Sequence, residues 1–297
     1  MNKKTTSVKL SLILVAMIWG SGFIATEYVI EANWNVMLIM VARFTVAAIV
    51  MGIVLNKNLK KLTKYEWIHG SISGVFLFLA FYTQTLGQSA TTVSNAAFFT
   101  ATNVVMVPFI SWAVNHERPK AQIVLLTLIS LAGVGVLSFN GDRFSLGSGD
   151  LIVLLCAFFF AMQITYLEKA TKGSDPARVN FVQILAAAVI SVIIFLIRGE
   201  GFQGVHVVQG LFPVLYLAVF STCLAYFLQT NAQKYTSAAL VGIILSLEGL
   251  FGSSFSVMLG MEPLTLRLVI GGILIIGATV LMNVDFKILR KGETHEV

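Results

Sequence analysis

The chain contains few charged residues and few residues that break helices. Only 11% of its 297 residues are Asp, Glu, Lys or Arg, whereas about a quarter is usual in a soluble domain. Five prolines leave room for long unbroken helices. The two cysteines, Cys156 and Cys223, lie inside apolar stretches, which favours small buried hydrophobic residues over a disulfide or a metal pair. This composition argues against a soluble protein.

Motifs of common catalytic sites are also missing from the sequence. There is no HExxH zinc motif, no phosphate-binding P-loop and no GxSxG nucleophile elbow. The net charge of +6 comes from basic residues in short gaps, so we expect no nucleic-acid partner. We therefore predict no enzyme, no cofactor and no metal site. An integral-membrane enzyme or a channel acting on a small amphipathic molecule remains the alternative.

Ten apolar stretches of about twenty residues account for most of the chain. A bilayer core about 30 Å thick requires about 20 helical residues to cross it, and a segment in hydrocarbon must satisfy its own backbone amides. The sequence therefore predicts an all-α integral membrane protein with ten transmembrane helices. We place these helices at 9–30, 34–55, 66–87, 92–114, 120–139, 148–169, 177–198, 210–231, 236–260 and 264–285.

The distribution of Lys and Arg predicts the orientation of the chain. If the ten helices alternate direction, sixteen of the twenty basic residues fall on the side of the N-terminus. Only Arg143, Arg198 and Arg267 fall on the other side, and Arg43 lies within a helix. Basic loops face the cytoplasm, so both termini are predicted to be cytoplasmic.

The chain also repeats itself at a spacing of 145 residues. The segment QTLGQSATT begins at Gln84 and QTNAQKYTS begins at Gln229, and Glu117 matches Glu262 at the same spacing. We divide the chain into five-helix halves, 1–142 and 143–297. Because five is odd, the halves cross the membrane in opposite directions, as in many secondary transporters. A relic of gene duplication without any role in transport is the alternative interpretation.

Several motifs resemble the EamA-type members of the drug/metabolite transporter superfamily. These are Trp19-Gly20-Ser21, Arg43-Phe44, FFTATNVVMVPF ending at Phe109, and TCLAYFLQTNAQKYTSAALVGIILSLEGLF ending at Phe251. The resemblance runs from about residue 9 to residue 285. Gly249 stands where the family usually has Pro, and the family's Gly before Glu117 and Glu262 is replaced by His and Met. The resemblance implies transport of small organic metabolites, with export of amino-acid-like solutes favoured.

Two charged residues lie near the middle of predicted helices, Arg43 and Glu248. A charge at that depth costs about 2.5–3.5 kcal/mol on insertion scales, so it normally faces protein or water. Because burial favours the neutral form of a carboxyl group, Glu248 is a candidate for binding protons or a substrate amine. Arg43 is a candidate for binding a substrate carboxylate. A buried structural partner is the alternative role for each.

Polar and aromatic residues at mid-helix positions complete the candidate substrate site. Transporter sites lie near the bilayer midplane at the interface between repeats, although such residues also serve as interhelical hydrogen bonds. As a group they favour a small amphipathic cavity, and they are Trp19, Ser21, Tyr82, Asn103, Gln163, Tyr166, Tyr226 and Ser246. Four acidic residues nearer the helix ends are predicted to be structural or gating residues, namely Glu27, Glu117, Glu168 and Glu262.

These features together predict a secondary active transporter that moves a small metabolite by alternating access. Proton coupling is a further hypothesis that depends on Glu248. The expected surroundings are a lipid bilayer, specifically a bacterial cytoplasmic membrane, with the protein as a monomer or homodimer. The identity of the substrate and the direction of transport do not follow from the sequence.

Overall fold

The computed structural model describes residues 3–115, 121–137, 139–140, 143–144, 146–236 and 238–281. Within these ranges the chain is helical, except for short connections and one antiparallel pair of two-residue strands. The first half contains α1 (Lys3–Glu31), α2 (Val36–Leu59), α3 (Lys64–Gln88), α4 (Val93–Ala101), α5 (Asn103–Asn115) and α6 (Ala121–Leu137).

The second half begins after the strand pair β1 (Phe139–Asn140) and β2 (Arg143–Phe144). It contains α7 (Ser148–Thr171), α8 (Pro176–Arg198), α9 (Val207–Tyr216), a π-helical segment (Leu217–Leu224), α10 (Ala225–Gln233), α11 (Ala238–Leu245), α12 (Leu247–Met258) and α13 (Leu266–Leu281). Each of the ten predicted helical ranges is therefore occupied by one helix or by a broken helix.

Seven helical stretches of the described chain are long and apolar enough to cross a membrane. They are Val8–Glu31, Val36–Leu59, Val93–Ala113, Ser148–Thr171, Pro176–Arg198, Val207–Gln233 and Leu240–Met258. Shorter apolar helices lie at Val124–Leu137 and Leu266–Ala278. The predicted all-helical membrane architecture is confirmed at this level.

Local signals at helix ends explain where several helices start and stop. The Asn35 side chain accepts a hydrogen bond from Leu38 N at 2.7 Å and so caps α2. Thr63 and Glu66 form a reciprocal capping box at the start of α3. Helix α8 ends at Gly199, which has a φ of 60°, a conformation that glycine adopts without steric cost.

Three helices that the apolar pattern predicts as continuous are interrupted. Thr102 separates α4 from α5, and both its hydroxyl and its N–H donate to Phe99 O, at 2.6 Å and 3.2 Å, in a tighter turn. Ser246 separates α11 from α12, where Gly249 N bonds to Ser246 O in a tighter turn. The third interruption is the π-helical segment between α9 and α10. Segments of this kind occur frequently at functional sites.

Each main contact between the two halves has a counterpart in which the equivalent helices of the halves change places. Helix α3 packs against α7 and α8, and the stretch α9–π–α10 packs in the same way against α1 and α2. The contact of α1 with α11 and α12 corresponds to that of α7 with α4 and α5, while α2 packs on α8 and α6 on α13. The described helices therefore meet across an approximate two-fold arrangement.

Glycines permit the closest of these approaches. A Cβ atom built on Gly74 of α3 lies 2.7 Å from Ala186 Cβ on α8, and one built on Gly133 of α6 lies 2.9 Å from Gly271 O on α13. No larger residue fits at these contacts without movement of a helix.

Two faces of the helix assembly serve as references below. The Glu31 face is the side at which α1 ends and α2 begins. The Asp175 face is the opposite side, at which α7 ends and α8 begins. Helix α9 starts at the Glu31 face, where His206 N donates to Ala32 O at 2.9 Å.

Candidate functional site

Four aromatic rings occupy the interface between the halves, and we call them the aromatic tetrad: Trp19, Phe81, Phe160 and Tyr226. The centroids of Trp19 and Tyr226 are 4.9 Å apart, and those of Phe81 and Phe160 are 5.1 Å apart. Phe81 and Tyr226 are separated by 5.8 Å and, like the repeated glutamines, by 145 residues. The tetrad therefore consists of two equivalent pairs, one ring of each pair from each half.

Arg43 lies directly against the tetrad and is only 2% exposed. Its Nε donates to Thr222 Oγ1 at 2.6 Å and its Nη2 donates to Ser221 Oγ at 3.0 Å. The guanidinium carbon lies 3.6 Å from the centre of the Phe81 ring, a cation–π geometry. Within the described ranges Arg43 has no carboxylate at ion-pair distance. The cation is thus held by hydroxyl groups and a ring.

The π-helical segment brings two adjacent hydroxyls and a carbonyl to this position. Ser221 and Thr222 both bond to Arg43, while Ser221 O accepts a hydrogen bond from Trp19 Nε1 at 2.9 Å. In an α-helix a mid-helix carbonyl is normally used by the residue four positions later. In this π-helical segment, Ser221 O bonds to α1 through Trp19, and the two hydroxyls bond to α2 through Arg43. The segment thus holds both helices at one point.

Glu248 faces the same small cavity as Arg43. It is the second residue of α12 and is 4% exposed. No hydrogen-bond or ion-pair partner of its carboxyl group is found among the described residues. The cavity is lined by Trp19, Gly22, Phe23, Thr26, Arg43, Phe81, Gln84, Phe160, Ser221 and Glu248.

The cavity is too small for an organic solute in this conformation. Its volume is about 10 Å³, roughly enough for one water molecule. An organic solute therefore requires the helices around the tetrad to separate before it can enter.

A second group of buried polar side chains lies on the side of the tetrad nearer the Asp175 face. We call it the amide cluster: Ser73, Gln163, Asn180, Gln183 and Thr230. Gln183 Oε1 accepts from Ser73 Oγ at 2.9 Å and from Gln163 Nε2 at 3.1 Å, and Gln183 Nε2 donates to Asn180 Oδ1 at 2.6 Å. Thr230 Oγ1 donates to Asn180 Oδ1 at 3.4 Å. The cluster contains no charged side chain and joins α3, α7, α8 and α10.

The second glutamine of each repeated segment links equivalent helices. Gln88 Nε2 donates to Phe23 O of α1 at 2.8 Å, and Gln233 Nε2 donates to Ile164 O of α7 at 2.9 Å. One helical turn beyond these carbonyls lie Glu27 and Glu168. Glu27 accepts from Gln88 Nε2 at 3.0 Å, whereas Glu168 accepts from Ala238 N at the start of α11. The two acidic residues thus occupy equivalent positions near opposite faces.

The remaining residues of the predicted site are distributed over several places. Ser21 Oγ lies 2.6 Å from Tyr216 Oη in a groove on the outer surface between α1 and α9. Tyr82 accepts from Arg198, and Tyr166 Oη lies 2.6 Å from His69 Nδ1. None of these three residues lines the central cavity. Gln163 belongs to the amide cluster.

Asn103 and Ser246 lie at the two helix breaks, 2% and 1% exposed. Asn103 Oδ1 has no hydrogen-bond partner among the described residues, and Asn103 matches Glu248 at the repeat spacing. Glu262 accepts from Ser94 N at 2.8 Å and from Ser256 Oγ at 2.8 Å, so it contacts the start of α4. Glu117 lies outside the described residues.

Seven residues that line the cavity are absent from the set predicted from the sequence, namely Gly22, Phe23, Thr26, Phe81, Gln84, Phe160 and Ser221. Phe81 and Phe160 look like ordinary apolar core residues, and Ser221 and Thr222 look like small polar residues of a helix. Gln84 is the exception, because the repeated segment already singled it out. The repeat spacing that relates Phe81 to Tyr226 was the available signal for the rings. Within the described ranges no group of three or more His, Cys, Asp or Glu side chains is arranged to hold a metal ion.

The apolar helices around a buried polar centre define a multi-pass membrane protein. The EamA-like transporter family matches residues 7–139 and 147–284. An uncharacterized transporter from Archaeoglobus fulgidus is 31% identical over 275 residues, which are 92% of this chain and 85% of that protein. Another from Methanothermobacter thermautotrophicus is 23% identical over 195 residues, 64% of this chain and 56% of that protein.

A crystal structure of another protein shares the fold, with a TM-score of 0.71 over 99% of this chain and 100% of that chain at 18% identity. The chain belongs to the EamA-like transporter family. It is accordingly a membrane transporter, and these relatives carry the names of transporters rather than of enzymes.

Proposed function

We propose that the protein is a secondary active transporter of small zwitterionic, amino-acid-like solutes. The observation that carries the proposal is one closed cavity containing Arg43 and Glu248, neither of which has a partner of opposite charge among the described residues. The cavity lies where the two halves meet, which is the usual place for a transporter site. A solute with one carboxylate and one amine matches the two side chains.

The carboxylate of the solute binds Arg43 in this proposal. The guanidinium presents a planar set of donors that fits two carboxylate oxygens. Ser221 and Thr222 hold two of these donors in the closed cavity, and a carboxylate replaces the hydroxyls with stronger, charge-assisted bonds. The Phe81 ring keeps the guanidinium plane in place.

Glu248 binds the amine of the solute or a proton. A carboxyl group that holds one of the two at a time couples the movement of solute to that of protons. Export of the solute in exchange for entering protons is the direction that we propose, on the basis of the family resemblance. Asn103 stands at the equivalent position of the other half, so only one half carries the ionisable group.

Alternating access is the proposed mechanism. The matched contacts of the halves support two inverted five-helix repeats, 1–142 and 143–297. We further propose ten membrane-spanning helices with both termini in the cytoplasm, on the basis of the distribution of Lys and Arg. On this orientation the Asp175 face is cytoplasmic. We further propose a bacterial cytoplasmic membrane as the location and a monomer or homodimer as the working form.

A binding experiment tests the solute class. The melting temperature of purified protein in detergent is measured with each of twenty L-amino acids, and with amines and carboxylic acids that lack one of the two charges. Since a ligand that binds only the folded state raises the melting temperature, we expect shifts with a subset of amino acids and smaller shifts with the singly charged analogues. Equal shifts with the singly charged analogues would contradict the zwitterion proposal.

A transport experiment tests proton coupling. An amino acid that gives a shift is followed into proteoliposomes with and without a pH gradient, for the wild type and for Glu248→Gln. We expect the gradient to accelerate only the wild type, because an amide carries no exchangeable carboxyl proton. The control is Glu200→Gln, whose carboxylate pairs with the exposed Arg198. Coupling through Glu248 is excluded if the variant responds to the gradient as the wild type does.

A further inference from the structure

The glutamines that begin the two repeated segments differ in their hydrogen bonding. Gln84 lines the central cavity, and its Nε2 donates to Thr100 Oγ1 at 3.3 Å. Gln229 is 0% exposed, and neither its Oε1 nor its Nε2 has a hydrogen-bond partner among the described residues. A buried polar group left without a partner costs about 1–3 kcal/mol. An amide with two such atoms therefore calls for a ligand or for water.

The position of Gln229 follows from the helix that carries it. It comes three residues after Tyr226 on α10, as Gln84 comes three residues after Phe81 on α3, and residues at this spacing share a helix face. Helix α10 runs from the tetrad toward the Asp175 face, because Gln233 contacts Ile164 O near the end of α7. Gln229 thus lies on the side of the tetrad opposite to Gln84.

Gln229 directly precedes Thr230 of the amide cluster. Gln163, another member of the cluster, also has a buried Oε1 without a partner within the described ranges. Gln183 in the cluster occupies the position on α8 that Arg43 occupies on α2, eight residues beyond the capping residues Asp175 and Asn35. The amide cluster is therefore the uncharged counterpart of the Arg43 cavity.

We propose that the amide cluster, together with Gln229, is a second binding site for the polar groups of the transported solute. It is used when the protein opens to the Asp175 face, and the inference rests on the proposed function. A primary amide both donates and accepts, so these side chains hold the carboxylate and the amine of one solute in turn. Hydrogen bonds without a fixed opposite charge are weaker than those of Arg43, so the solute leaves this site easily.

Interhelical hydrogen bonding is the competing explanation for buried amides in a membrane protein. Structural bonding of this kind accounts for the hydrogen bonds that join Ser73, Asn180 and Gln183. It does not account for the three free amide atoms of Gln163 and Gln229, since a purely structural network gains from satisfying them.

Labelling of introduced cysteines tests the location of the site without any knowledge of the solute. The full chain with Cys156→Ala and Cys223→Ala, in sealed vesicles of known orientation, carries Gln229→Cys or Ser221→Cys. The probe is the membrane-impermeant 2-(trimethylammonium)ethyl methanethiosulfonate. We expect Gln229→Cys to react faster from the Asp175 face and Ser221→Cys faster from the Glu31 face. Gln209→Cys, exposed at the start of α9, reports vesicle sealing by reacting only from the Glu31 face.

Reaction of Gln229→Cys only from the Glu31 face, or from neither face, overturns the proposal. The functional arm compares Gln229→Leu with Gln209→Leu. For an amino acid that shifts the melting temperature, we expect Gln229→Leu to raise the half-saturating concentration from the Asp175 face by about tenfold and to leave the Glu31 face within about twofold. An unchanged value at both faces also overturns it. If no amino acid binds the wild type, the proposed function fails, whereas the labelling result still decides the position of the site.

Discussion

Arg43 is a buried cation held by two hydroxyl groups and one aromatic ring. Burying a charge is costly unless it is paired and hydrogen-bonded, and removing one member of a buried pair is strongly destabilising. In a site that binds and releases a solute carboxylate, neutral hydroxyls reduce the cost of the unpaired cation while no solute is bound. Ser221 and Thr222 are placed to do this, so the cation persists in the closed cavity without a permanent carboxylate partner.

The Arg43→Lys variant tests the role of the guanidinium. Lysine keeps the charge but presents a compact ammonium without the planar pair of donors and without stacking on Phe81. We expect binding of a responsive amino acid to weaken by about tenfold or more, measured as a loss of its melting-temperature shift. The ligand-free melting temperature should fall only slightly.

Arg198→Lys is the matched control for this substitution, because Arg198 is half-exposed and pairs with Glu200. Its ligand response should equal that of the wild type. Retention of the full response by Arg43→Lys contradicts a carboxylate bound by the guanidinium.

The π-helical segment is the element that places the hydroxyls. Its wide turns direct Ser221 and Thr222 to Arg43 and the Ser221 carbonyl to Trp19. The equivalent helix of the other half, α3, is an uninterrupted α-helix in the structure. In the proposed alternating-access mechanism, the two halves exchange conformations between the two states, so this difference between the halves is a candidate for that exchange.

Removal of the Ser221 and Thr222 hydroxyls is expected to lower the stability of the ligand-free protein without weakening the binding of a solute. The double variant Ser221→Ala, Thr222→Val leaves Arg43 without these partners, so we expect the ligand-free protein to lose about 2–4 kcal/mol of stability and to melt at a lower temperature. A solute carboxylate then supplies the missing bonds, and the ligand-induced shift should equal or exceed that of the wild type.

Ser253→Ala is the control for this loss, since among the described residues the Ser253 hydroxyl bonds only to carbonyls of its own helix. It should leave the melting temperature nearly unchanged. A double variant that melts like the wild type shows that the hydroxyls do not stabilise the buried cation.

The close contact between helices α3 and α8 gives a second prediction at the scale of secondary-structure elements, on the stability of the protein. A methyl group at Gly74 meets Ala186 Cβ at 2.7 Å, whereas one at Gly277 of α13 meets no atom within 4 Å. We expect Gly74→Ala to destabilise by about 1–3 kcal/mol and Gly277→Ala to be neutral or slightly stabilising. Melting temperatures measure both. Equal values for the two variants contradict close packing at Gly74.

Sequence patterns predicted the helical ranges well and the helix interruptions not at all. Apolar length is a property of the chain itself, so it located the helices, and charge or polarity within apolar stretches made Arg43, Glu248 and Tyr226 candidates. The breaks at Thr102 and Ser246 are single tighter turns, in which Thr102 N bonds to Phe99 O and Gly249 N bonds to Ser246 O, and apolar patterning carries no signal for them. Phe81 and Phe160 could not be singled out from the sequence, because their place in the site depends on the rings that the fold packs against them.

At the scale of the whole molecule, the contacts that helices of the first half make with the second half are repeated with the halves exchanged. The tetrad lies between a charged cavity on one side and a neutral amide cluster on the other. In the proposed mechanism, opening to one face exposes Arg43, and opening to the other face exposes Gln183 and Gln229. The proposal therefore predicts different affinities for the same solute at the two faces, although the fold is nearly symmetric.

Reporter fusions test the proposed membrane topology. A reporter that is active only in the cytoplasm should be active at the N-terminus and at the C-terminus, because ten crossings return the chain to its starting side. The same reporter inserted after residue 142, which follows five crossings, should be inactive, whereas a reporter that is active only outside should be active there. Termini on opposite sides contradict the inverted repeat, since they require an odd number of crossings.

Transport by the purified protein is the measurement that tests the central claim most directly. Proteoliposomes containing wild type, Arg43→Lys or Arg198→Lys are supplied with a radiolabelled mixture of L-amino acids, and uptake is compared with that of protein-free liposomes. The account predicts uptake of at least one amino acid by wild type and by Arg198→Lys, and a loss of at least about tenfold in Arg43→Lys. Equal uptake by all three proteins, or none above protein-free liposomes, would contradict an amino-acid-like substrate held by Arg43.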